Sequence, residues 1–136
     1  MELAAVEQTL REFFAGDSPA ARRMAAAYLF GSVARGEAHS RSDVDVAVLT
    51  LGGALPGFDG LELALEGDLE RLLRRPVHLV VLDRAPVDLV HRVLRDGRLL
   101  LDRDKSRRIA FEVKARREFF DLQPILRRYR RQPAEG

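Results

Sequence analysis

The segment Leu29–Leu49, LFGSVARGEAHSRSDVDVAVL, decides the fold. It reads as the end of one strand, a turn at Gly31-Ser32, a short loop carrying Arg35 and Arg41, and a second strand bearing Asp43 and Asp45. Val44, Val46 and Val48 alternate with the aspartates. On a strand, side chains at i and i+2 share a face, with Cα atoms roughly 6.5–7 Å apart. The valines therefore turn towards a core, and both carboxylates face the other way. Two like charges held that close oppose each other's ionisation. A divalent cation relieves the conflict, and Mg²⁺ is suited to it, taking one or two carboxylates together with water and phosphate oxygens.

Gly31-Ser32 supplies the complementary half of a site. A glycine at a strand end lets the backbone turn tightly and approach a ligand without a Cβ in the way. If Ser32 to Arg35 opens a helical turn, its free N–H groups and the Ser32 hydroxyl offer an anion cradle beside the carboxylates. Arg35 and Arg41 add positive charge on the same loop. Metal carboxylates, a phosphate cradle and basic residues together describe a site for a nucleoside triphosphate and a metal.

Gly31-Ser32, ten intervening residues and then Asp43-Val44-Asp45 resembles the signature of the nucleotidyltransferase superfamily related to DNA polymerase beta. The form FGSVARGEAHSRSDVDVAVL is similar to the minimal nucleotidyltransferases, the MNT family, and the likeness covers roughly residues 20–102. It implies an α/β fold with a mixed, twisted sheet of about four strands and helices mainly on one face. Gly31, Ser32, Arg35 and Arg41 would bind the nucleotide, and Asp43 and Asp45 would act catalytically as ligands of Mg²⁺. ATP would donate AMP to a tyrosine hydroxyl on a HEPN-domain toxin encoded nearby, making the chain an antitoxin.

One position departs from the family pattern. The strand that usually carries a third carboxylate, in a pattern like VDLVDL, reads Val77-His78-Leu79-Val80-Val81-Leu82 here, with His78 in its place. Imidazole takes a proton or a metal near neutrality, but it brings no negative charge. Two readings stay open: a protein adenylyltransferase with His78 catalytic, or a lapsed antitoxin that neutralises its partner by binding alone. Nucleotide addition to an RNA end is a third, disfavoured because a chain this short lacks a separate RNA-gripping domain.

The rest of the chain frames this segment. Its 136 residues suit a single domain, with 103–136 a basic helical extension. There is no cysteine, so neither a disulfide nor a thiolate metal site is available. His39, His78 and His91 are scattered and form no histidine metal motif. No apolar run is long enough to span a membrane, and the first residues mix charge into their apolar pattern unlike a signal peptide. A cytoplasmic setting is expected. Net charge is +2, unevenly spread: residues 103–131 hold eleven Lys/Arg against four Asp/Glu, whereas the first 102 residues hold twelve against sixteen. The basic tail invites an acidic partner, protein or nucleic acid.

Apolar spacing predicts helices over 2–15, 61–74, 86–96 and 104–120, and strands over the last four or five residues of 24–30, over 77–83 and over 98–102. Glu62, Glu66 and Glu70 read as a solvated helix face. In the tail, Phe120, Ile125, Leu126 and Tyr129 exceed the apolar content that a solubilising segment needs.

Overall fold

A computed structural model describes residues 3–37, 42–52 and 58–131. The side chains of residues 58, 59, 126 and 129–131 are not among those described. In chain order the elements are α1 (Leu3–Ala15), β1 (Met24–Phe30), α2 (Gly31–Ala34), β2 (Val44–Thr50), α3 (Phe58–Leu73), β3 (Val77–Val81), α4 (Val87–Asp96), β4 (Arg98–Asp102) and α5 (Lys105–Arg131). Short 3₁₀ turns at Ala21–Arg23 and Leu82–Arg84 precede β1 and follow β3.

The four strands form one mixed sheet in the order β3-β2-β1-β4. β1 runs antiparallel to both β2 and β4, and β2 runs parallel to β3. The parallel pair requires a crossover, and α3 provides it. The α/β class and the mixed four-stranded sheet are as expected, but the helices do not sit mainly on one face. α1 and α3 cover one face, where Val6, Leu10, Phe14, Leu65 and Leu69 pack on Val44, Val46 and Val48. α4 and α5 cover the other, where Val90, Val93 and Phe111 pack against Tyr28, Ala47, Leu49 and Val80. The reason lies in β1, MAAAYLF, which is buried at all seven positions. A strand that is apolar on both sides needs a layer on each.

Several details tie these layers together. Arg107 donates to Asp83 Oδ2 at 3.0 Å and to the Thr50 carbonyl, while Asp83 accepts the Thr50 backbone N–H at 3.0 Å and its hydroxyl at 2.7 Å. Asp83 thus binds α5 to the end of β2. Glu7 on α1 accepts from Arg98 on β4 at 3.0 Å and from Arg11 at 2.8 Å. The glutamate face of α3 is only partly solvated: Glu62 pairs with Arg84, and Glu70 Oε2 accepts the Val77 N–H at 3.3 Å. α5 begins as predicted, with Asp104 Oδ1 capping the Arg107 N–H at 3.1 Å, but continues through Pro124 to Arg131. Among the described residues, no helix is long and apolar enough to cross a membrane.

Candidate functional site

Three strand ends meet at one end of the sheet. β1 runs into Gly31-Ser32, β2 starts directly after Asp43, and β3 begins with Val77-His78. The register pairs Asp45 with Phe30 on one side and with His78 on the other. Asp45 is therefore centred between the glycine turn and the histidine. It shares a sheet face with Ala47 and Leu49, while the valines that alternate with it enter the opposite core.

The turn closes against Asp45 because residue 31 is glycine. Its φ is +75°, and a Cβ there would lie 2.1 Å from Asp45 Oδ2. Neither the dihedral nor the approach suits another residue. The four residues of α2 follow, with the Arg35 N–H donating to the Gly31 carbonyl at 3.1 Å and the Glu37 N–H to the Ser32 carbonyl at 2.9 Å. Gly36, at φ +72°, turns the chain away. Ser32 stands partly exposed in this turn.

Asp45 is the more buried of the site's two carboxylates. Its side chain is only 23% exposed, and burial holds its carboxyl above the usual carboxylate range. The His78 hydrogen bond and charge oppose that rise, the nearby Asp43 charge adds to it, and Arg35 counteracts it. His78 Nδ1 lies 3.3 Å from Asp45 Oδ1, and the ring is otherwise 62% exposed. With Nδ1–H directed at the carboxylate, the Nε2 lone pair faces solvent. Asp43 is exposed beside this pair.

Arg35 is near enough to act on Asp45 but forms an ion pair with Glu37 at 3.0 Å. Arg41, the other arginine expected at the nucleotide, and His39 lie outside the described residues. His91 takes no part in the site and stacks on Phe119, ring centroids 3.5 Å apart. An open groove of about 700 Å³ between α4 and α5, lined by Leu82, Val90, Arg107 and Phe111 among others, includes none of Gly31, Ser32, Asp43, Asp45 or His78.

Sequence reasoning missed Arg75. Its guanidinium forks onto the Ser42 carbonyl, Nη2 at 2.6 Å and Nε at 3.1 Å, and the next backbone contact is Val44 N–H to the Pro76 carbonyl at 3.0 Å. These contacts anchor the chain on both sides of Asp43. No signal in the sequence points to this, since the partners are 33 positions apart.

Among the described residues, no group of three or more His, Cys, Asp or Glu side chains is arranged to hold a metal ion by itself. Mg²⁺ does not need one. It is generally held by one or two carboxylates with phosphate oxygens and water completing the octahedron. Two hard oxygen donors side by side at an open sheet end, with one carboxyl disfavoured in its charged form until a cation arrives, fit that requirement.

Residues 9–106 match the family described as Polymerase beta, Nucleotidyltransferase. No curated protein matches the chain. Among solved structures, one described as a minimal nucleotidyltransferase is 36% identical, with 72% of this chain and 95% of that one covered and a TM-score of 0.52. A chain of a toxin–antitoxin crystallised with AMP-PNP is 25% identical over 90% of this chain and 97% of its own, with a TM-score of 0.68. A third similar structure holds a tri-AMPylated Shewanella oneidensis HEPN toxin in complex with its MNT antitoxin; at 22% identity, 93% and 98% coverage and a TM-score of 0.64, it speaks to the fold.

Proposed function

Because the chain belongs to the minimal nucleotidyltransferases of the polymerase beta family, we propose that it transfers AMP from ATP to a tyrosine hydroxyl of a HEPN-domain toxin encoded nearby, and so acts as its antitoxin. The observation that carries this reading is Asp45, held between the Gly31 turn and His78 with Asp43 beside it. The similar structures holding AMP-PNP and an AMPylated HEPN toxin support the choice of donor and acceptor.

In this reading Gly31 and Ser32 receive the triphosphate, because the turn presents backbone with no side chain in front of Asp45. Asp43 and Asp45 are the ligands for Mg²⁺, which when bound supplies positive charge to phosphate oxygens. Arg35, released from Glu37, adds positive charge where negative charge develops on the phosphates, and Arg41 on the same loop has the same role. The acceptor hydroxyl oxygen forms a bond to the α-phosphorus, the bond from that phosphorus to the β-phosphate oxygen breaks, and pyrophosphate leaves with the electron pair. The hydroxyl proton passes to His78 Nε2, with Asp45 holding the ring through Nδ1.

The test is ATP binding with and without Mg²⁺. Wild type is expected to bind ATP in a Mg²⁺-dependent way, and Asp43→Asn with Asp45→Asn to lose that dependence while keeping the fold by circular dichroism. Loss of fold in the double variant would make the aspartates structural and overturn the assignment. A second reading, neutralisation by binding alone, is favoured by one observation: an imidazole stands at His78, and among the described residues no third carboxylate joins Asp43 and Asp45.

A further inference from the structure

Among the described residues, four of the seven exposed large apolar side chains lie on α5. Ile109, Val113, Phe120 and Ile125 are all exposed, Phe120 at 73% and Ile125 at 62%. At 100° per residue, Ile109, Val113 and Phe120 fall within about 40° of one another on the helix. That stripe lies opposite the side that packs on the sheet and α4 through Phe111, Ala115 and Phe119. Arg116 and Arg117 flank it, are exposed, and form no ion pair among the described residues.

The direction of the helix gives this surface a place. Arg107 touches Thr50 and Asp83, at the end of the sheet away from Asp45. Glu112 accepts the Tyr28 hydroxyl at 3.1 Å, midway along, and Phe119 reaches His91 on α4. From Thr50 to Asp45, β2 covers about 17 Å. From Arg107 to Phe119, α5 covers about 18 Å in the same sense. The helix therefore draws level with the Asp43/Asp45 end near Phe119 or within a turn or so beyond it. The eight to twelve residues from there to Arg131 add about 12–18 Å, so the last turns project past the sheet on the side of the carboxylates.

We infer that this outer face of α5 is the docking surface for the protein acceptor, holding it so that its hydroxyl is presented to the Gly31/Asp45 end. The inference rests on the reading given under the proposed function. The occupant it commits to is a protein surface with an apolar strip rimmed by carboxylates. Charge selects that occupant: Arg116 and Arg117 flank the stripe and Arg127 and Arg128 lie exposed beyond it, so a second copy of the same face would meet it with like charge. Nucleic acid would satisfy the arginines but leave the isoleucine, valine and phenylalanine in water. An apolar stripe with a basic rim is the anatomy of a protein interface.

The experiment measures binding of the full chain to the HEPN-domain protein by calorimetry, together with AMP transfer to it by intact mass. The variants are Val113→Glu with Phe120→Glu, Arg116→Glu with Arg117→Glu, and Asp43→Asn with Asp45→Asn. Because the α5 residues are exposed, both α5 variants should keep the wild-type Tm. Each is expected to weaken the complex at least about 30-fold, the effect of a hot-spot loss, while Mg²⁺-dependent ATP binding is unchanged. The aspartate variant should bind the partner as tightly as wild type and transfer nothing. Partner binding within threefold of wild type in Val113→Glu with Phe120→Glu would overturn the inference. So would a wild-type homodimer that this variant makes monomeric, or a single-stranded RNA oligonucleotide that binds through Arg116 and Arg117 and ignores Phe120. A complex that is lost in the α5 variants but never AMPylated in wild type would refute the transferase reading and leave the docking surface standing.

Discussion

Replacing Gly31 with alanine tests how the site is built. Two effects add at this position. A residue with a Cβ at φ +75° costs about 1–2 kcal/mol in the left-handed region. The new Cβ would also sit 2.1 Å from Asp45 Oδ2 and 2.9 Å from its Cγ, so the carboxylate must leave its place. Displacing Asp45 from a staggered rotamer costs about 0.5–1.5 kcal/mol, and its contact with His78 is lost too. The expected destabilisation is about 2–4 kcal/mol, and with roughly 3–5 °C per kcal/mol for a chain of this size, Tm should fall by about 6–20 °C. Gly36→Ala is the internal control. It has nearly the same dihedral, φ +72°, but nothing within 4 Å of the added Cβ, so it should lose only the first 1–2 kcal/mol or so. Thermal unfolding gives the stabilities, and titration with Mg²⁺ and ATP reads the site. Gly31→Ala should weaken nucleotide binding at least about tenfold, whereas Gly36→Ala should leave it unchanged. Equal losses in the two variants, with binding intact in both, would refute the claim that Gly31 exists to let the turn close on Asp45.

Other perturbations separate function from stability. Asp45→Asn removes a charge that burial disfavours, so it should leave stability unchanged or raise it while abolishing Mg²⁺-dependent ATP binding; a loss of stability in urea unfolding would contradict the desolvation argument. Asp83→Ala takes a carboxylate only 9% exposed away from the Arg107 guanidinium and from the Thr50 N–H and hydroxyl, and should cost about 2–4 kcal/mol with no direct effect on nucleotide affinity. Glu7 has its carboxyl held below the usual range, first by the Arg11 hydrogen bond and then by Arg98. Its contribution is therefore present above the ordinary glutamate value and lost as pH falls through the lowered one. Glu7→Gln should cost about 1–2 kcal/mol at pH 7, with the gap to wild type closing in acid; a gap that stays constant down to pH 2 would remove Glu7 as its source.

The strand that carries Asp45 was legible because its valines and aspartates alternate, and Gly31-Ser32 marked where its neighbour ends. Helix limits were legible where apolar spacing is dense, as in α1 and α4. The layering was less so. MAAAYLF gave away its strand character through its position before the turn, yet its unbroken apolar run also required helices on both sheet faces. α5 was expected to end at residue 120, and Pro124 does forfeit one backbone bond, to the Phe120 carbonyl. Pro124 is exposed, where water replaces that bond, and the helix continues. The pairing of Asp45 with His78 and the Arg75 fork onto Ser42 each span 33 positions. Both depend on strand register, which local pattern does not encode. Arg35 was read as part of the nucleotide site, and its ion pair with Glu37, two residues on, left no mark in the local pattern.

On this reading, the Gly31/Asp45/His78 end of the sheet moves AMP onto a partner protein. The direct measurement is intact-mass analysis of the HEPN-domain protein after incubation with this chain, ATP and Mg²⁺. A mass gain of one or more AMP groups is expected, lost with Asp43→Asn and Asp45→Asn and strongly reduced with His78→Ala. An unmodified partner in a stable complex that suppresses its activity would contradict the claim and establish an antitoxin that works by contact alone.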